Sequence, residues 1–135
     1  MDPRLTEIWR RLGLAWGEAD IMRNAGSVIT GDTVRSPLVS TGVLGSNEIM
    51  IVNHTGGGML TFTDDEIASR LERMSNAAPI SPERFYSFTD LRAATREQVH
   101  RARTHPWISK DVPIRGFVYD VETGGFHEIH YDGEG

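Results

Sequence analysis

The chain has 135 residues and a formal charge of −5, with 39% hydrophobic and 24% charged residues. Those figures fit one globular domain over residues 1–135 with a single modest core, and the acidic balance argues against a general nucleic-acid binder. Cysteine is absent, which excludes disulfides, thiolate nucleophiles, iron–sulfur clusters and every zinc site that needs sulfur.

Leu5, Ile8, Trp9 and Leu12 recur at helical spacing, predicting a helix over residues 5–12 that stops at Gly13. Residues 19–23 (ADIMR) read as a short strand. A helix is expected over residues 32–44, with Val34, Leu38, Val39 and Val43 on one side and Pro37 and Gly42 weakening it. Residues 48–53 (EIMIVN) form the clearest strand, and their unbroken apolar run predicts burial on both faces, as in a parallel sheet.

Residues 54–59 (HTGGGM) are too glycine-rich for regular structure. Thr63 and Glu66 have capping-box spacing, opening a helix that runs to about Met74 and buries Ile67 and Leu71. Residues 76–87 read as a proline-containing loop. A long charged helix is expected from Phe88 or Thr89 to Thr104, before Pro106. Residues 114–121 and 126–130 read as strands joined by the turn 122–125, the second returning antiparallel. Residues 132–135 read as a frayed acidic tail. Strands alternating with helices indicate an α/β fold: a mostly parallel sheet flanked by helices, with a C-terminal antiparallel edge hairpin. No apolar run reaches the roughly 18–20 residues that span a bilayer, and the N-terminus has no apolar signal core. A cytoplasmic protein with neither membrane nor nucleic-acid partner is therefore expected.

Several stretches together resemble the β-class carbonic anhydrases, in their compact actinobacterial-type branch. They are residues 1–5 (MDPRL), 21–26 (IMRNAG), 32–36 (DTVRS), 43–45 (VLG), His54-Thr55, 58–65 (GMLTFTDD) and 115–124 (RGFVYDVETG), in the family's order over nearly the whole chain. The resemblance implies the β-carbonic-anhydrase fold, with zinc held by Cys, His and Cys. In that family the first Cys belongs to a Cys-x-Asp-x-Arg motif ending the first strand, and a His-x-x-Cys pair follows the third. Zinc then lowers the pKa of bound water so that hydroxide attacks CO2.

Carried over by position, Asp2 and Arg4 match the Asp–Arg dyad and His54 matches the zinc histidine. Gly57 stands where the second Cys is expected, and Gly56 where an Asp usually precedes it. The first Cys would fall immediately before Met1. His54 is thus the one family ligand position retained. No metal or cofactor is expected, because one imidazole does not make a three-ligand zinc site; zinc would require an unusual, rebuilt site. The family's first strand, which would lie between the strands at residues 19–23 and 48–53, is also missing. Those two strands then pair directly, or another chain fills the gap, or the stated start is downstream of the true one.

Asp2, Arg4 and His54 are the candidate catalytic residues. Asn24, Ala25, Gly26, Gly56, Gly57 and Gly58 are the candidate pocket. Each has a plainer alternative: a frayed terminus for Asp2 and Arg4, a relic imidazole for His54, a tight turn for residues 24–26, and a widened pocket floor for the glycines. The glycine run lacks the Lys-Ser/Thr of a Walker loop. His127 and His130, three apart on a strand, point to opposite faces. His100 and His105 straddle a helix end, and none of the four has an evident route to His54. Arg92, Arg96, Arg101 and Arg103 with Glu97 read as a solvated helix face. Trp9, Trp16 and Trp107 read as core or dimer contacts, since the resemblance implies a homodimer or higher homo-oligomer. The favoured function is metal-free acid–base chemistry, of lyase or hydrolase type, on a small anionic or carbonyl substrate. The alternatives are a non-catalytic binding or assembly subunit and a residual carbonic anhydrase.

Overall fold

Ile49, Ile51 and Asn53 lie opposite Ile114, Gly116 and Val118 on one face of a sheet, while Met50, Val52 and His54 share the other with Arg115, Phe117 and Tyr119. The computed structural model describes residues 1–78, 80 and 82–130. Among the described residues the strands are β1 (Ile49–His54), β2 (Ile114–Tyr119) and β3 (Phe126–Ile129), in the order β1-β2-β3. β1 runs parallel to β2, and β2 antiparallel to β3. The α-helices among these residues are α1 (Ile8–Arg11), α2 (Gly31–Gly42), α3 (Asp64–Ser75) and α4 (Leu91–Thr104).

The core forms where α2 and α4 meet the first face. Val34 of α2, Val99 and Ala102 of α4, Ile51 and Ile114 of the sheet, and Ile108 make one buried cluster. Gly116 sets how closely α4 approaches: a Cβ there would stand 2.7 Å from Val99 Cγ2 and 3.0 Å from Thr95 Cγ2. The buried Asn53, Thr95 and Gln98 are partnered, as burial demands. Asn53 Nδ2 donates to Thr95 Oγ1 at 3.1 Å, and Gln98 Oε1 accepts from the Ile29 amide at 2.8 Å. On the second face Phe126 packs edge-on to Phe117 and tilted against Tyr119.

Most expected elements occur with shifted ends. The Thr63–Glu66 capping box is present and opens α3. Asp90, not Phe88 or Thr89, caps α4, its carboxylate accepting from the amides of Arg92 and Ala93. Pro37 sits inside α2. The sheet has the expected plan, a parallel pairing of β1 with β2 and the C-terminal antiparallel hairpin of β2 with β3.

Other expectations fail. Residues 19–23 form no strand, so they do not pair with β1; a strand needs a ladder partner as well as the right residues. β1 is consequently an edge strand, and only Ile51 and Asn53 within it are buried. The helix expected over residues 5–12 breaks into a 3₁₀ turn, Pro3–Leu5, and the four-residue α1. Of the two alternatives for Trp16 and Trp107, core or dimer contact, their 90% and 80% exposure in the single chain removes the first. Arg103 departs from the solvated helix face, donating to the Ile114 carbonyl. The tail expected at 132–135 lies outside the described residues, as do Pro79 and Ser81 of the loop expected at 76–87.

Candidate functional site

His54 is the last residue of β1 and lies in register with Tyr119 of β2. The next residue fixes its ring. Thr55 is locked by its amide bonding to the Tyr119 carbonyl at 2.9 Å and by its hydroxyl accepting from the Val121 amide at 3.1 Å. Its carbonyl lies 2.8 Å from His54 Nδ1. A carbonyl only accepts, so Nδ1 carries the hydrogen and the neutral ring keeps its lone pair on Nε2. Nε2 faces Asp2 Oδ2 at 3.9 Å, beyond direct hydrogen-bond reach.

Asp2 and Arg4 form a tight pair on the 3₁₀ turn. Arg4 Nε donates to Asp2 Oδ1 at 2.9 Å, Nη2 donates to Oδ2 at 2.7 Å, and the Arg4 amide donates to Oδ1 at 2.8 Å. These bonds hold the Asp2 carboxyl far below the usual carboxylate range; burial opposes the shift, and the charges of Arg4 and His54 add to it. The same pairing raises the Arg4 guanidinium. Arg4 Nη2 also donates to the Gly56 carbonyl at 3.0 Å. Gly56 presents that carbonyl from φ +62°, a left-handed conformation suited to glycine. The Met1 amino group donates to the Asn24 carbonyl at 2.9 Å, and Arg23 donates to the Asp2 carbonyl. The segment carrying Asp2 is therefore tied down rather than frayed.

The structure gathers Asp2, Arg4, His54, Gly56 and Gly57. A Cβ at Gly57 would stand 3.1 Å from His54 Cε1, so this residue is the floor beside the ring. Gly58 opens a 3₁₀ turn, and a Cβ there would meet nothing. Asn24 is turned to architecture: its amide donates to the Val28 carbonyl and Thr33 Oγ1 and accepts from the Val28 amide. Gly26, at φ +81°, lies close to Val28, Phe88 and Met59, and Ala25 is exposed. Arg4 also lines a cleft of about 180 Å³ with Leu5, Glu7, Ile8, Arg11 and Tyr119. Residue reasoning missed Thr55 and Arg23. Thr55 adjoins the histidine in sequence, whereas the Arg23–Asp2 contact spans a separation of 21 residues.

A carboxylate–guanidinium pair facing an oriented imidazole stands at the carboxyl end of a parallel strand, the place where α/β folds commonly carry their ligand sites. Known proteins narrow the class. No family model matches. The chain is 41% identical over 130 residues to β-carbonic anhydrase 1 of Mycobacterium tuberculosis, covering 96% of this chain and 77% of that protein. It is 37% identical over 145 residues to a carbon disulfide hydrolase of an Acidianus strain, covering 91% and 71% respectively. A solved carbonic anhydrase from Streptococcus mutans superposes with a TM-score of 0.89 at 39% identity, covering 96% of this chain and 77% of that one. The chain belongs to the β-carbonic anhydrase family.

Zinc, which the family resemblance implies, takes three protein ligands. Here His54 offers Nε2, both Asp2 oxygens are engaged by Arg4, and residue 57 has no side chain. Among the described residues no three His, Cys, Asp or Glu side chains group closely enough to hold a metal ion. The donor set does not fit a three-ligand zinc centre.

Proposed function

We propose that this β-carbonic-anhydrase-like protein uses the family pocket without zinc, for acid–base chemistry on a small anionic or carbonyl-like substrate. The observation that carries the reading is the tautomer of His54: with Nδ1–H committed to the Thr55 carbonyl, Nε2 faces the Asp2–Arg4 pair as a base. Arg4 is 48% exposed on its side chain and supplies positive charge for an anionic or polarised oxygen. Asp2, kept ionised, fixes Arg4 and leaves proton transfer to His54. Water deprotonated at Nε2 would add to an electrophilic carbon held by Arg4. The absent side chain at Gly57 leaves room beside the ring for a substrate larger than CO2.

The relatives suggest what to test: hydration of CO2, hydrolysis of carbon disulfide, and hydrolysis of small activated esters. The purified protein is expected to carry far less than one zinc per chain, to hydrate CO2 poorly and to turn over one of the other substrates, with His54→Ala abolishing that turnover. Stoichiometric zinc with fast CO2 hydration overturns the reading. A second reading, a non-catalytic binding or assembly subunit, is favoured by the closed Asp2–Arg4–Gly56 bonding, which serves architecture as well as chemistry. Either reading takes the chain as a homo-oligomer.

A further inference from the structure

β1 and β2 pair in parallel register as far as His54, which lies opposite Tyr119. In a parallel ladder a bonding residue gives its amide to one carbonyl of the neighbouring strand. Its own carbonyl takes the amide two residues further along that strand. Ile49 sets the phase, its amide donating to the Pro113 carbonyl at 2.9 Å. Every second residue shares that phase, so Thr55 is a bonding position. Its amide conforms, donating to the Tyr119 carbonyl at 2.9 Å. The ladder then requires the Val121 amide on the Thr55 carbonyl. The Val121 amide donates instead to the Thr55 hydroxyl, at 3.1 Å. The carbonyl that the ladder would have used lies 2.8 Å from His54 Nδ1.

The turn between β2 and β3 places that amide. Asp120 Oδ1 accepts from the amides of Glu122 and Thr123 at 2.9 and 3.2 Å. The Asp120 amide donates to the Gly125 carbonyl at 2.9 Å, and its carbonyl accepts from the Gly124 amide at 2.8 Å. The Glu122 amide, and after it the Thr123 amide, hold the Asp120 carboxyl below its ordinary range. Val121 follows Asp120 directly, so the turn that Asp120 braces fixes the direction of the Val121 amide. We propose that Thr55 is a positioning residue for His54: its hydroxyl ends the ladder in place of its carbonyl and leaves that carbonyl to the imidazole, with Asp120 supporting it through the turn. A carbonyl shared between the Val121 amide and the ring would serve both donors at poorer angles. The hydroxyl therefore favours the tautomer with hydrogen on Nδ1 and a bare Nε2. The proposal rests on the reading of His54 as a base, but its readout needs no turnover.

Nitrogen NMR of the full chain with isotope-labelled histidine, at a pH where the imidazoles are neutral, reads the tautomer directly. His54→Ala identifies the His54 signals. In the wild type Nδ1 should carry the hydrogen and Nε2 the lone pair. Thr55→Val keeps the shape of the side chain and removes the acceptor. It should lower the ratio of the Nδ1–H to the Nε2–H tautomer about fivefold, the equilibrium weight of one ordinary hydrogen bond. Thr55→Ser should keep the wild-type ratio, and Asp120→Ala should move it in the same direction as Thr55→Val. A predominant Nε2–H tautomer in the wild type overturns the proposal without any variant. An unmoved ratio in folded Thr55→Val overturns it too, as does a ratio moved equally by Thr55→Ser. The expected ratios in a wild type that turns over neither activated esters nor carbon disulfide would refute the acid–base reading and uphold the role of Thr55.

Discussion

Arg4 holds Asp2 by geometry more than by depth. The Arg4 side chain is 48% exposed and that of Asp2 18%, yet the guanidinium meets both carboxylate oxygens. Two-point recognition of this kind resists competition from water better than a single ion pair. Arg4→Gln should therefore raise the Asp2 carboxyl toward its ordinary range, readable by carboxyl-carbon NMR titration; an unmoved titration would refute the assignment. The sign follows from linkage. A carboxyl lowered in the folded state adds stability above the ordinary carboxylate pKa, near 4, and that stability is lost as pH falls through the lowered value. The stability gap between Arg4→Gln and wild type should accordingly close toward strong acid.

At the scale of elements, Asp64 links α3 to the loop before α4. Its carboxylate accepts from the amides of Phe85, Tyr86 and Ser87 and from the Ser87 hydroxyl, at 2.7–3.2 Å. Tyr86 is held at φ +59°, uncommon for a bulky residue. The Phe88 amide then reaches the Met59 carbonyl at 3.2 Å, joining this loop to the turn beyond the glycine run. Burial raises the Asp64 carboxyl, but the hydrogen bonds from Ser87, Phe85 and Tyr86 outweigh it and bring it to about 2. Asp64→Ala should cost about 2–3 kcal/mol at neutral pH, several charge-assisted bonds being lost. The cost should shrink between about pH 4 and pH 2, as the wild-type carboxyl protonates. Denaturant unfolding at pH 7 and near pH 2.5 measures both, and an equal difference at the two pH values would sink the account. Sequence reading found the Thr63–Glu66 box because its partners lie three residues apart. It missed the bonds from Asp64 because their donors stand 21 to 23 residues away. Local signals expose local bonds, and loop conformation waits on distant ones.

Across the whole molecule, the alternation of strand and helix made the α/β class legible, and the C-terminal hairpin followed from its turn residues. The apolar run of β1 misled because it specifies an environment, not the number of neighbouring strands. Residues 19–23 misled similarly: the same apolar pair, Ile21 and Met22, that reads as a strand becomes half-exposed surface when no ladder partner lies alongside. At the site, Asp2, Arg4, His54 and Gly57 were found through family resemblance, whereas the ring orientation of His54 depends on a carbonyl that composition does not reveal.

The homo-oligomer reading proposed for the chain requires that part of its stability come from association. If folded dimer unfolds to two separate chains, dilution favours unfolding, and the thermal midpoint must rise with concentration. For a dimer of this length, a tenfold increase is worth about 1.4 kcal/mol and should raise the midpoint by about 2 °C. Calorimetry over two decades of concentration should show that slope in the wild type. A flat wild-type series would mean that association contributes nothing to stability and would overturn the homo-oligomer reading.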